Sequence, residues 1–226
     1  MTGTIIKGIG GFYYIDTEEG VYECRARGIF RKNKITPLVG DKVEISIVDE
    51  KNKKGSLDVI YERKNMLIRP KVSNCTQAVI VFAAAKPDIN FDLLDKFLVM
   101  AEEQKLEAVI CINKIDLDLE EKYLEIEEIY KKAGYKVILM CAKDGLGVDE
   151  LKNTIFGKIS VFAGPSGVGK SSIINALNPK LNLKTGNISE KIERGKHTTR
   201  HVELMELFPE SYVVDSPGFT SLSLEH

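Results

Sequence analysis

Residues 161–177, VFAGPSGVGKSSIINAL, constrain the fold of this chain more tightly than any other segment. The segment begins with an apolar, β-branched run, continues through a glycine-rich turn and ends in a helical pattern. Gly164, Gly169, Lys170 and Ser171 fit G-x-x-x-x-G-K-[ST], in which glycines let backbone N–H groups surround a phosphate chain. Lys170 would place a positive charge beside the phosphates, and the Ser171 hydroxyl could ligate Mg²⁺. The segment therefore predicts a strand, a phosphate-binding loop and a helix.

Composition excludes several classes of protein. The chain has 226 residues, of which 43% are hydrophobic and 29% charged, and a net charge of −1, as expected for an ordinary globular protein. No apolar run approaches the length needed to cross a membrane, and the N-terminus lacks a signal-peptide pattern. The four cysteines are widely spaced and form no C-x-x-C motif, so no zinc site is readable. Cys111 and Cys141 lie in apolar runs and are predicted to be buried thiols, which fits a cytoplasmic protein.

Residues 1–65 are predicted to form a small all-β domain. Five short strand patterns alternate with glycine-containing or charged turns, and no helical pattern interrupts them. Within one of them, Val43, Ile45 and Ile47 alternate with polar residues, as in a half-buried strand. This pattern favours an OB-like barrel, although an SH3-like barrel would give the same pattern.

One stretch of this domain, residues 25–34 (RARGIFRKNK), is strongly basic. It carries five basic residues and no acid, with Phe30 among them. We predict a loop that contacts RNA phosphates, with Phe30 available to stack on a base; the alternative is a solvated turn between strands. The predicted RNA-binding residues are Arg25, Arg27, Arg31, Lys32 and Lys34.

Residues 66–223 are predicted to contain strands that alternate with helices. The continuous apolar run AVIVFAAA predicts a strand that is covered on both faces. Asn90 is the expected N-cap of the helix that follows, and the helix after the phosphate loop should stop at Asn178-Pro179. The alternation predicts a doubly wound α/β domain.

Two further motifs follow strands of this domain. Asn113-Lys114-Ile115-Asp116 comes directly after an apolar strand pattern. A carboxylate at that place can accept hydrogen bonds from N1–H and the exocyclic amine of guanine, which adenine does not offer. Cys141-Ala142-Lys143 ends the next strand and resembles the S-A-K element that supports the guanine base, with cysteine in place of serine.

The last part of the domain carries candidates for contacts with Mg²⁺ and the γ-phosphate. Asp215 and Gly218 resemble a D-x-x-G element, in which the aspartate holds Mg²⁺ through water and the glycine N–H meets the γ-phosphate. Either Thr198 or Thr199 would complete the Mg²⁺ shell. His197 precedes them in a polar loop and is the candidate for activating the attacking water.

The order of these motifs is unusual, because the base-reading motif precedes the phosphate loop. The motifs, their circularly permuted order and the barrel in front together resemble the ribosome small-subunit-dependent GTPase family (RsgA, also called YjeQ or YloQ). The resemblance covers essentially the whole chain and implies a P-loop GTPase domain behind an OB-like barrel. It also implies a GTPase, slow alone and stimulated by the small ribosomal subunit, that acts late in subunit maturation. Phe219 stands where Ras has its water-orienting glutamine, which agrees with slow unassisted hydrolysis.

The resemblance completes the expected ligands, partners and domains. Mg²⁺ and GTP or GDP are expected here, and zinc only in the C-terminal domain that family members carry and this sequence lacks. The expected partners are the small ribosomal subunit and its rRNA, with no membrane and a monomeric chain. Residues 224–226 (LEH) resemble the start of an appended tag. The full set of predicted nucleotide-binding residues is Asn113, Lys114, Ile115, Asp116, Cys141, Ala142, Lys143, Gly164, Pro165, Ser166, Gly167, Val168, Gly169, Lys170, Ser171, Ser172 and Gly218.

Overall fold

A computed structural model describes residues 1–68, 71–183 and 202–215, and only the backbone of Asp215. These residues divide into two compact units. The first contains residues 1–68 and 71–75 with residues 202–205 and 214–215, and the second contains residues 76–183 and 206–213. The domain boundary expected between residues 65 and 66 stays a prediction.

The first unit contains a closed barrel of five strands. Their bounds are Thr2–Ile9 (β1), Phe12–Thr17 (β2), Gly20–Ala26 (β3), Lys42–Asp49 (β4) and Lys54–Ile60 (β5). The order around the barrel is β1-β2-β3-β5-β4, and β4 pairs back onto β1. The β3–β5 pair is parallel and the other four pairs are antiparallel. This order confirms the OB-like barrel and decides against an SH3-like one.

Alternating side chains explain why these strands close on one another. Ile5, Ile15 and Leu57 are fully buried, and Val43 and Ile45 of β4 point into the same core. The predicted alternation ends there, because Ile47 is 43% exposed. Ile47 lies opposite Gly55, which has no side chain to cover it, just before the pairing of β4 with β5 shifts register.

Residues 25–34 contain a helix, although the sequence predicted a barrel without one. This short helix, Gly28–Lys32 (α1), lies in the middle of the basic stretch. Phe30 is buried, with 7% of its surface exposed, so the prediction that it is available for base stacking is wrong. The physical reason is that the helix turns this ring inward, while Arg31 and Lys32 remain exposed in its last turn.

After the barrel, Met66–Leu67 (β6) and Val72–Ser73 (β7) form a two-stranded ladder. The next strands are Cys75–Ala83 (β8), Glu107–Asn113 (β9), Lys136–Leu139 (β10), Ile159–Ala163 (β11), Glu203–Phe208 (β12) and Ser211–Asp215 (β13). They are ordered β10-β9-β8-β11-β13-β12, with parallel pairs β8–β9, β9–β10 and β11–β13. The helices are Phe91–Glu103 (α2), Tyr123–Lys132 (α3), Val148–Ile155 (α4) and Lys170–Leu177 (α5).

Local sequence signals are confirmed at several places in this α/β domain. The Asn90 side chain accepts the Leu93 N–H and caps α2, and α5 ends at the residue before Asn178. All four cysteines are free and buried. The apolar spacing of α3 predicts that Tyr123, Ile126, Ile129 and Tyr130 face inward. For Ile129 this prediction is wrong: it is 51% exposed, because the buried stripe runs through Ile126 and Tyr130. Within the described ranges, no helix combines the length and apolarity needed to cross a bilayer.

Candidate functional site

The residues of the predicted phosphate loop connect β11 to α5. All five residues of β11 are buried, which anchors the start of the loop, and Val168 returns to the core before the helix begins. Two glycines are required by the backbone as well as by the space available. Gly164 has a φ of +133°, and a Cβ there would lie 2.0 Å from the Val81 carbonyl oxygen. Gly169 has a φ of +97°, and a Cβ would lie 2.3 Å from Nδ2 of Asn113.

The Lys170 side chain folds back over the loop that precedes it. Its ammonium group donates to the carbonyl oxygens of Gly164 at 2.6 Å and of Pro165 at 2.7 Å. Burial lowers the pKa of Lys170 from its ordinary value of 10.5 to about 8. Neutral carbonyl groups compensate little of the cost of burying this charge, whereas a phosphate would compensate more of it. The loop therefore has both the glycine-dependent backbone and the charge that suit a phosphate chain.

The buried lysine predicts a pH-dependent stability. In nucleotide-free protein, the free energy of unfolding of the wild type should rise relative to that of Lys170→Met as pH increases from about 8 to about 10. The sign follows because the folded pKa lies below the unfolded one, so in this range the unfolded chain binds more protons. Urea unfolding at a series of pH values measures the difference. Parallel pH profiles for the two proteins would contradict the expected desolvation of Lys170.

The base motif is tied to the phosphate loop by side-chain hydrogen bonds. Asn113, at the end of β9, is 2% exposed. Its Nδ2 donates to the Val168 carbonyl at 2.9 Å, and its Oδ1 accepts the Ala142 N–H at 3.1 Å. Lys114 Nζ donates to the carbonyl oxygens of Gly167 at 2.6 Å and of Lys86 at 2.9 Å. The residues after β9, β10 and β11 thus form one connected constellation.

Asp116 itself is exposed beside this constellation. It lies in a short 3-10 segment, Ile115–Leu117, that follows the left-handed residue Lys114. The Ile115 N–H donates to the Met140 carbonyl at 3.3 Å, which fixes the segment against the end of β10. One oxygen of Asp116 lies 3.3 Å from Sγ of Cys141. An exposed carboxylate held in this way can accept hydrogen bonds from a base.

The structure also brings in two groups that were not identified from the sequence. The Lys86 carbonyl, after β8, fixes Lys114, and the Asp144 carboxylate lies 3.1 Å from Sγ of Cys141. The only sequence signal for Asp144 was its place in a turn three residues after Cys141.

Several predicted residues lie around the loop or outside the described part of the chain. Pro165, Gly169 and Ser172 are half-buried, whereas Ser166, Gly167 and Lys143 are exposed. His197, Thr198, Thr199 and Gly218 lie outside the described residues, as does Phe219.

Ser171 is the described residue whose hydroxyl could ligate Mg²⁺. It is 7% exposed in the first turn of α5. The backbone of Asp215 ends β13. Within residues 1–68, 71–183 and 202–215, no group of three or more His, Cys, Asp or Glu side chains could hold a metal ion. Mg²⁺ is commonly bound through one or two protein oxygens together with nucleotide phosphates, so a dedicated cage is not needed.

The five basic residues predicted to bind RNA differ in whether they already contact other side chains of the barrel. The Arg25 guanidinium lies 4.6 Å from the Phe12 ring centroid, and Arg27 Nε pairs with Asp58 at 2.7 Å. Arg31, Lys32 and Lys34 are exposed, and Lys34 adopts a left-handed conformation with a φ of +56°.

Fold and site together define a class of protein. Along the chain, the OB barrel comes first and the strand that ends at the Asn113–Asp116 motif comes next. The buried strand, glycine-dependent loop and helix of the phosphate site come after that motif. This is a circularly permuted P-loop nucleotide-binding protein.

Comparisons with known proteins identify the family. The RsgA N-terminal domain model matches residues 2–56, and the RsgA GTPase model matches residues 60–225. A curated relative from Alkaliphilus metalliredigens, named small ribosomal subunit biogenesis GTPase RsgA, is 53% identical over 99% of this chain and 76% of its own length. The chain belongs to the RsgA family of GTPases.

Two solved structures are similar over nearly the whole chain. YjeQ from Thermotoga maritima is 38% identical with a TM-score of 0.80, over 99% of this chain and 77% of that one. YloQ, described as a circularly permuted GTPase, is 42% identical with a TM-score of 0.76, over 99% of this chain and 73% of that one. These similarities confirm the permuted GTPase fold behind an OB-like barrel.

Proposed function

We propose that this GTPase binds the small ribosomal subunit and couples GTP hydrolysis to late maturation of that subunit. The observation that carries the proposal is the connected constellation of Asn113, Lys114, Val168 and Gly167, which fixes the base motif and the phosphate loop to each other. The names of the relatives support the ribosomal role, since they describe GTPases of small-subunit biogenesis.

We propose roles for the site residues from the motifs they belong to and, for the described residues, from their contacts. Loop N–H groups and Lys170 bind the phosphates, and Asp116 reads the base with support from Cys141 and the end of β10. Ser171 would hold Mg²⁺, with Asp215 acting through water and either Thr198 or Thr199 completing the shell. The ion would neutralise charge on the phosphates during hydrolysis.

The test is GTP turnover by the full-length protein with and without small ribosomal subunits. A clear increase with subunits, without a comparable increase for ATP, supports the proposal. If turnover is unchanged by subunits but GTP still binds, the chain acts instead as a nucleotide-binding RNA scaffold. If ATP is preferred, the chain is a P-loop ATPase or kinase, and the role proposed for Asp116 is wrong.

For the barrel, we propose that Arg31, Lys32 and Lys34 contact rRNA phosphates. They are exposed and unshielded by acids within residues 25–34, whereas Arg25 and Arg27 already contact Phe12 and Asp58. The end of α1 therefore offers the concentrated positive charge that phosphate binding requires.

Replacing Arg31, Lys32 and Lys34 together with Ala should weaken binding to the small subunit. The slope of log K against log salt should flatten by about 0.7 to 0.9 for each phosphate contact that is lost. A matched control replaces Lys131, Lys132 and Lys136 with Ala. This change removes the same amount of positive charge, but from α3 and β10. An unchanged salt slope in the first variant would show that this end of α1 does not touch RNA.

We propose His197 as the group that orients the attacking water. Phe219 cannot hold a water by hydrogen bonding, and a neutral imidazole can, since its ordinary pKa of about 6.5 leaves it mostly uncharged at cytosolic pH. Its place next to Thr198 and Thr199, the candidate Mg²⁺ ligands, motivates the proposal. Lys196 and Arg200 are alternatives that would act through charge.

His197→Ala should leave GTP affinity nearly unchanged and remove most of the subunit-stimulated turnover. The physical reason is that positioning of water affects the transition state and not the bound nucleotide. Single-turnover hydrolysis with saturating subunits measures the effect, and Lys196→Ala and Arg200→Ala serve as comparisons. Stimulated turnover that survives His197→Ala would assign the role to another group.

We also propose where and in what state the protein acts. It would act as a monomer in the cytoplasm, where it meets ribosomal subunits. The zinc expected from the family resemblance stays a prediction.

A further inference from the structure

The Cys141 thiol lies between two carboxylates. Its sulfur is 3.3 Å from Oδ1 of Asp116 and 3.1 Å from Oδ2 of Asp144. Cys141 is 4% exposed, whereas both aspartates are exposed to solvent. The two acids therefore approach one buried sulfur from different parts of the chain.

The turn after β10 holds Asp144 in this place. The Cys141 N–H donates to the Leu146 carbonyl at 3.1 Å, and the Asp144 N–H donates to the Cys141 carbonyl at 3.1 Å. Gly147 closes the turn with a φ of +77°, where a Cβ would lie 2.3 Å from the Leu139 carbonyl oxygen. The backbone thus directs the Asp144 side chain back onto the thiol.

A thiol has one proton and can donate it to one acceptor at a time. Burial, assisted by the neighbouring Asp144 and Asp116, raises the pKa of Cys141 to about 11. At neutral pH the sulfur therefore keeps its proton and acts as a donor. When the proton points to Asp144, Asp116 loses a hydrogen bond that orients its carboxylate.

We propose that Asp144 competes with Asp116 for the hydrogen bond donated by the Cys141 thiol. This competition lowers the affinity of the site for guanine nucleotides. This makes Asp144 a positioning residue that sets nucleotide release and specificity. The inference rests on the proposed role of Asp116 as the group that reads guanine. The competition should make GDP exchange fast. Whenever the Cys141 thiol donates to Asp144, the Asp116 carboxylate loses that hydrogen bond and can turn away from the base.

The first test measures release of fluorescent GDP from Asp144→Asn and Asp144→Ala. We expect dissociation to slow about fivefold, which corresponds to one ordinary hydrogen bond. Asp149→Asn is the matched control, because it removes the same charge from the start of α4, outside the contact with Cys141. Unchanged dissociation in both Asp144 variants would overturn the inference.

A double-mutant cycle separates proton competition from simple repulsion between the two acids. Cys141→Ala should speed GDP release, and in that background Asp144→Asn should have little further effect. If the full effect of Asp144→Asn persists without the thiol, charge repulsion accounts for it and the proposed competition is wrong. Cys141→Ser supplies a hydroxyl donor and should return the release rate from that of Cys141→Ala toward that of the wild type, which a purely structural role of the sulfur would not explain.

Parallel measurements show which proposal has failed. The preference for GDP over xanthosine diphosphate is measured for the wild type and Asp116→Asn. If Asp116→Asn leaves this preference intact, the proposed base-reading role fails, and this inference with it. If the preference changes but the Asp144 variants release GDP at the wild-type rate, only the inference about Asp144 fails. Thermal melting of every variant identifies those that have lost their fold.

Discussion

Replacing Asp116 with Asn is expected to turn a guanine site into a xanthine site. The carboxylate accepts from N1–H and the exocyclic amine of guanine, whereas an amide presents N–H to that amine and leaves it without an acceptor. Xanthine carries an oxygen at the same position and can accept from the new N–H. Because a site built on such bonds can reject a mismatched ligand by roughly 10⁴-fold, this is the largest effect we expect on ligand binding.

The measurement is the affinity for GTP and for xanthosine triphosphate in the same variant. Asp116→Asn should lose GTP binding and gain xanthosine triphosphate binding, and Asp149→Asn should resemble the wild type. Asn113 and Lys114 anchor the motif independently of Asp116, so the variant should keep its backbone in place. Loss of both nucleotides with an intact fold would show that Asp116 holds the site together and does not read the base.

Replacing Asp41 with Ala is expected to lower the free energy of unfolding of the barrel by about 3 to 5 kcal/mol. The Asp41 side chain is fully buried and accepts four hydrogen bonds. Arg63 donates two of them, at 2.6 and 2.7 Å, Ser73 Oγ donates one at 2.6 Å, and the Leu38 N–H donates one at 2.8 Å. Truncation leaves a partly buried guanidinium without its counter-charge and buried donors without an acceptor.

Amide hydrogen exchange in β1 and β4 measures this loss within the barrel itself. Glu128→Ala provides the control, since it breaks the exposed pair with Lys132 and should cost about 0.3 to 0.5 kcal/mol. Arg63→Met combined with Asp41→Ala should cost less than the two single changes added together, because the double variant leaves no unpaired charge. A loss below about 1 kcal/mol in Asp41→Ala would mean that water replaces the carboxylate at little cost.

The sequence determined those features that depend on short stretches of chain. The left-handed glycines, Lys170 and Ser171 predicted the phosphate loop, because a tight turn and a helix start need particular residue types at fixed spacing. The N-cap at Asn90 and the stop of α5 before Asn178 were predictable for the same reason. The permuted order of the motifs is itself a property of sequence and requires no coordinates.

Only the tertiary structure decided how distant residues meet. Phe30 is buried and Ile129 is exposed, although their neighbours along the chain suggested the reverse. The choice of an OB barrel depended on the pairing of β3 with β5, and Arg63 reaches Asp41 across 22 positions of sequence. Asp116 reaches the Cys141 thiol in the same way, across 25 positions. Burial and pairing depend on which surfaces the folded chain places against each other, whereas caps, turns and periodicity act within a few residues.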